Sequence, residues 1–255
     1  MNVPPLLRNI TCEHRDAVTH VLGPVRPEPR WAPPDLDVLF LCFTNRCGSN
    51  FLAQLLASTG AFNEAGEFFN APTVLKHAME RGLRSLPAYF SALSVLVPHT
   101  GRIAAKVAIG QLLMLADAGI LDALRGRATY LLLKRQDQLG QAISRVIAWQ
   151  TGRWSSAHAS DIRESALLFD RVMIDTQQAW VANENAAFSR FFSANGIVPV
   201  HVTYEDLLAD PRPTIEAVGA TMGLTGLCAR LEKVAIRPQA NGINGAWRSA
   251  YLTRS

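Results

Sequence analysis

The chain has 255 residues, 49% of them apolar, with 25 Lys or Arg against 21 Asp or Glu and a net charge of +4. That length fits one α/β domain with a large core, which buries roughly three-quarters of the unfolded surface. The small positive excess suits an anionic ligand but is too weak to argue for nucleic acid, and no apolar run reaches the about eighteen residues of a membrane span.

The four cysteines, Cys12, Cys42, Cys47 and Cys228, form no C-x-x-C pair and have no zinc spacing, so free thiols in a reducing cytosol are expected. Pro4, Pro5, Arg8 and Asn9 interrupt any apolar leader, and a soluble, cytoplasmic protein is expected. The histidines, His14, His20, His77, His99, His158 and His201, include no pair at metal-ligand spacing on a helix, and no metal is expected.

Residues 1–34 are Pro-rich and read as an irregular extension with a short helix near 12–21. The rest, 35–255, reads as a single domain. Its first unit, 36–59, runs from the apolar stretch Asp37 to Phe43 through a polar loop into a helix beginning at Ser49. Phe51, Leu52, Leu55 and Leu56 give that helix an apolar stripe before Gly60. A strand, a tight loop and a helix N-terminus gather free N–H groups and positive dipole potential at one point, and Arg46 adds a planar cation. Such a loop suits a phosphate or sulfate. It is not a Walker A loop, because no Lys stands between Gly48 and Ser49 and no first Gly precedes it.

Residues 62–70 form a loop with two acids and three aromatics, in which Phe68 and Phe69 anchor Glu67 near the core. A carboxylate held beside apolar groups suits a general base, while a solvated turn is the plainer reading. Residues 73–96 read as helical. Arg102–Val107 reads as a second strand with Lys106 near its end, where ligands of open α/β sheets bind; a surface lysine is the plainer reading. Gln111–Leu124 reads as one apolar helix and Ala128–Leu133 as a buried strand. Asp137 is the expected N-cap of a helix running to Trp149. Arg135 at the strand end and Ser144 on this helix converge on one anion in this reading. A long helix is expected over 161–195, a strand over 198–204, a helical turn over 205–211 and a helix over 213–222. The tail from Arg237 to Ser255 reads either as disordered or as a cover over a nucleotide. The β-α-β-α-β order implies a mainly parallel central sheet flanked by helices.

These pieces together resemble a family. Arg46-Cys47-Gly48-Ser49 and Ala65-Gly66-Glu67-Phe68-Phe69 resemble the R-S-G-S loop and E-F-F segment of bacterial trehalose 2-sulfotransferase-like enzymes. Arg135-Gln136-Asp137, Gln141-Ala142-Ile143-Ser144 and Gln150-Thr151-Gly152-Arg153-Trp154 resemble their R-x-D, Q-A-V-S and Q-T-x-x-W signatures, and Val202 to Leu207 and Trp247 also fit. The resemblance covers about residues 37–250. It implies a P-loop-like three-layer α/β fold and sulfuryl transfer from 3′-phosphoadenosine 5′-phosphosulfate (PAPS) to a hydroxyl of a sugar or glycolipid headgroup. By motif position, Arg46, Cys47, Gly48, Ser49 and Asn50 would hold the 5′-phosphosulfate, and Arg135 and Ser144 the 3′-phosphate. Trp247 would lie near the nucleotide. Glu67 would be the base, with Arg46 and Lys106 meeting charge on the transferring group. The family suggests a homodimer. Cys47 and Asn50 stand where it usually carries Ser and Thr. A P-loop kinase using ATP and Mg²⁺, and a non-catalytic nucleotide-binding protein, are the alternatives.

Overall fold

A computed structural model describes residues 1–10, 12–97, 100–154, 166–236 and 242–253. His99, His158, residues 161–165 of the expected long helix and the start of the tail at Arg237 lie outside them. Four strands, β1 (Asp37–Phe43), β2 (Arg102–Val107), β3 (Ala128–Lys134) and β4 (Val200–Thr203), form one sheet in the order β2-β1-β3-β4, with every pairing parallel. The helices are α1 (Arg15–Leu22), α2 (Ser49–Ser58), α3 (Ala71–Arg81), α4 (Leu86–Leu96), α5 (Ile109–Asp117), α6 (Ile120–Ala123), α7 (Gln138–Thr151), α8 (Arg171–Ala194), α9 (Tyr204–Ala209), α10 (Arg212–Thr221) and α11 (Gly242–Thr253).

Strand β1 explains the three layers. Val38, Phe40 and Cys42 point to one face, into a core shared with residues of α1, α3, α4, α5 and α8. Leu39, Leu41 and Phe43 alternate to the other face, against Leu52, Leu55 and Leu56 of α2 and Ile215 and Val218 of α10. A period of two with both faces apolar is what a parallel strand under two helical layers requires. The chain leaves β1 toward β2 on one side and later places β3 on the other. The loops after β1 and β3 therefore flank one crevice at the carboxyl ends of the strands, the usual ligand position of open α/β sheets.

Four expected elements differ. The apolar helix at 111–124 is two helices, α5 and α6, because Gly119 takes φ 75° between them. The helical stretch 73–96 divides at Gly82 (φ 63°), with Ser85 capping α4 through Ala88 N–H. The long helix starts only at Arg171, where the Asp170 carboxylate accepts from Met173 N–H. The tail contains an ordered helix, α11.

The N-terminal stretch joins the core. Leu7, Val18 and Leu22 are buried in the same cluster as Phe40, and Trp31 Nε1 donates to Ser91 Oγ at 2.9 Å. Among the described residues no helix is long and apolar enough to cross a membrane.

Candidate active site

The loop after β1 turns through Arg46, a non-glycine residue at φ 69°, and Gly48, at φ 92°. The left-handed conformation costs a side-chain-bearing residue roughly 1 kcal/mol or more, so Arg46 is held there by its surroundings. Gln141 supplies part of the hold: its buried Nε2 donates to Thr44 Oγ1 and to Asn45 O, each at 2.8 Å. A Cβ on Gly48 would collide with the ring of Tyr204, so only glycine lets that ring close on the loop. Helix α2 then starts at Ser49 with no side-chain cap, and Phe51 N–H turns back to Gly48 O at 3.0 Å; the helix start lends its positive dipole end to the crevice.

Arg46 reaches across the crevice. Its Nε donates to Ser144 Oγ at 2.9 Å and its Nη1 to Trp154 O at 2.7 Å. Ser144 accepts from Arg46 and retains its own hydroxyl proton for a further acceptor. Burial lowers the Arg46 pKa from its ordinary value, and repulsion from Arg135 lowers it further, so two guanidiniums face one space. Arg135 lies 5.2 Å from the centre of the Tyr204 ring, and its buried Nε has no partner among the described residues.

The loop after β3 is fixed from two sides. Glu205 accepts from Gln136 N–H at 3.0 Å and from Asp137 N–H at 3.2 Å. Asp137 caps α7 through Gly140 N–H at 3.0 Å, accepts from Arg135 Nη2 at 3.3 Å, and pairs with Arg248 of α11. Burial pushes the Asp137 pKa up, but the Gly140 hydrogen bond and Arg248 outweigh it, and the net shift is downward.

Glu67 comes from the far edge of the sheet. Asn63 imitates a strand there, taking Ala104 N–H on Oδ1 at 2.8 Å and giving Nδ2 to Ala104 O at 2.9 Å. Gly66 then bridges to Ala105 and accepts Lys106 N–H at 2.9 Å. Phe69 is fully buried against Tyr89 and Phe90, and Tyr89 Oη donates to Phe68 O at 2.6 Å. Together these contacts set Glu67 beside Lys106, whose Nζ donates to Glu67 Oε1 at 3.0 Å and to Asn50 Oδ1. The carboxylate's nearest neighbour is thus an ammonium rather than the expected apolar wall.

Arg46, Gly48, Ser49, Asn50, Glu67, Arg135 and Ser144 all line one cavity of about 990 Å³, and Lys106 stands behind Glu67 and Asn50. Three expected site residues do not line it: Lys106, which reaches it only through Glu67 and Asn50, and Cys47 and Trp247, which face away. The Cys47 side chain is buried among Phe43, Leu52 and Leu207, where burial pushes its thiol up to about 12. Trp247 is buried against Ile143, Ile174 and Phe169. Its neighbour Arg248 lines the cavity instead, as do Tyr204 and Arg145. Helical periodicity separates Trp247 from Arg248 by about 100°, a signal that goes unread when the tail is taken as irregular.

The family model described as Stf0 sulphotransferase matches residues 98–253, and the chain belongs to that family. The family match makes the protein a sulfotransferase, on an α/β fold that places a cation-lined crevice at the carboxyl ends of its strands. The matched span contains Lys106, Arg135, Ser144 and Arg248, whereas Arg46 and Glu67 precede it and are tied to it by the Arg46–Ser144 and Lys106–Glu67 contacts. A search of curated proteins finds no match.

Proposed function

We propose that the protein moves a sulfuryl group from PAPS to a hydroxyl of a carbohydrate or glycolipid headgroup, in the cytoplasm and as a homodimer, with Glu67 as base and no metal required. The observation that supports this is that one cavity is lined both by the uncapped start of α2 with Arg46 and by Arg135 with Ser144, the two bridged by the 2.9 Å Arg46–Ser144 bond, and each suits an anion. A donor with phosphates on both the 3′ and the 5′ positions of its ribose needs two such elements. Arg135 Nε, which has no partner among the described residues, and the close approach of Tyr204 to Gly48 fit such a donor.

In this reading the N–H groups of Gly48, Ser49 and Asn50, with Arg46, hold the 5′-phosphosulfate. Arg135 and the Ser144 hydroxyl hold the 3′-phosphate, with Arg248 beside them on Asp137. Lys106 pairs with Glu67 Oε1, and Glu67 Oε2 takes the proton of the acceptor hydroxyl as its oxygen attacks sulfur. The sulfur–oxygen bond to the 5′-phosphate breaks, and Arg46, Lys106 and the α2 N–H groups meet the charge released on the leaving oxygen. The thiol of Cys47 and the ring of Trp247 take no part. Incubation with PAPS and a panel of sugars should release 3′-phosphoadenosine 5′-phosphate together with a sulfated product. Turnover of ATP with Mg²⁺ and none of PAPS would replace this reading with a kinase.

A further inference from the structure

Arg145 is a polar residue that the donor chemistry does not use. It follows Ser144 on α7 but lies about a third of a turn round, toward α8. Residues Gln177, Trp180 and Glu184 form a stripe on α8 at i, i+3 and i+7. Arg145 packs its guanidinium 3.8 Å from the Trp180 ring centre and donates Nε to Gln177 Oε1 at 2.8 Å. It is 6% exposed, yet it lines the same cavity as Glu67.

Its charge is poorly compensated. Nη1 is buried without a partner, and Arg145 makes no ion pair among the described residues. The carboxyl whose charge acts on it most, Glu184, is itself pushed toward its neutral form by burial, and its buried Oε2 also has no partner among the described residues. The other acid whose charge reaches it, Glu13, is 84% exposed and spends its Oε1 on His14. A desolvated cation without a counter-ion is unfavourable, and a ligand anion relieves it. Trp149, Trp154 and Trp180 also line this cavity, and aromatic faces suit the apolar faces of a sugar ring.

We infer that Arg145 determines acceptor specificity and selects a hydroxylated ring carrying an anionic group, such as a uronic acid carboxylate. The inference rests on the sulfotransferase reading, because it assigns the acceptor side of that reaction. It separates Arg145 from Arg46 and Arg135, which serve the donor.

The test is calorimetric titration of the full chain with methyl glucuronide and with methyl glucoside, each with and without saturating 3′-phosphoadenosine 5′-phosphate. The acid should bind about tenfold or more tightly than the neutral sugar, the usual scale of a charge-assisted contact. Arg145→Met should abolish that preference and leave the affinity for the bisphosphate unchanged. Arg145→Lys, which keeps the charge but not the planar fork, should retain part of the preference, and it carries the test if the Met variant does not fold. Equal binding of the two sugars, or binding of neither, overturns the inference. So does a loss of bisphosphate affinity in Arg145→Met, which would place Arg145 in the donor site. Failure of the bisphosphate to bind the unmodified protein counts against the donor reading instead, and the contrast read without nucleotide stays independent of it.

Discussion

Lys106 Nζ stands 3.0 Å from Glu67 Oε1, and this ion pair ties the end of edge strand β2 to a loop 39 residues earlier in the chain. The pair depends on Asn63 and Gly66 occupying the open edge of β2, so an edge that would otherwise invite strand addition is used to aim a carboxylate.

Glu67→Gln keeps the shape and the hydrogen bond from Lys106 but cannot take a proton. It should lower kcat by roughly two to four orders of magnitude, the usual size for a general base, with the affinity for 3′-phosphoadenosine 5′-phosphate unchanged. Steady-state kinetics beside nucleotide titration check this, and full activity in the Gln variant refutes the role.

Arg135 has the Tyr204 ring and Asp137 as supports, and its Nε has no partner among the described residues. Arg135→Ala should weaken 3′-phosphoadenosine 5′-phosphate far more than AMP. Equal weakening of both nucleotides would remove the 3′-phosphate assignment.

Cys47 stands where the resembled family carries Ser, but its side chain faces the core. Cys47→Ser should leave nucleotide affinity unchanged and cost about 1–3 kcal/mol of stability, because the hydroxyl enters an apolar site. Thiol reagents should label exposed Cys228 in the folded protein and spare Cys47, whose burial raises its pKa to about 12. A gain in donor affinity for Cys47→Ser would contradict the placement.

Burial raises the Glu184 pKa from 4.5 to about 8, against the smaller pull of Arg145. The folded state then binds this proton more tightly than the unfolded chain, so the contribution is complete below the unfolded value and is lost as pH rises through the folded one. The melting temperature should therefore fall as pH rises across that window, and Glu184→Gln should flatten the fall. Equal slopes for the two proteins would contradict it.

Much of this was legible in the sequence because it is local. The continuous apolar run Val38–Phe43 can only be a strand covered on both faces, and Asp137 three residues before Gly140 is a cap. Arg46 and Arg135 follow the carboxyl ends of β1 and β3, and the crevice gathers them for that reason, while Ser144 comes from the middle of α7 and Glu67 from the loop along the edge of β2. What was not legible depends on direction in space. Whether residue 47 faces the loop or the core is set by the φ 69° turn at Arg46, which no propensity of arginine announces. Arg145 reads as one more polar residue on α7 until α8 puts Trp180 and Gln177 against it. The break at Gly119 is invisible in a run that is apolar on both sides of it.

The most direct test of the central claim is calorimetric titration with 3′-phosphoadenosine 5′-phosphate against AMP and ATP, without added metal. A clear preference for the bisphosphate is predicted, since Arg135 and Ser144 would engage a phosphate that the other two nucleotides lack. Equal affinity for all three, or binding of ATP alone once Mg²⁺ is added, would contradict the assignment of a PAPS-dependent sulfotransferase.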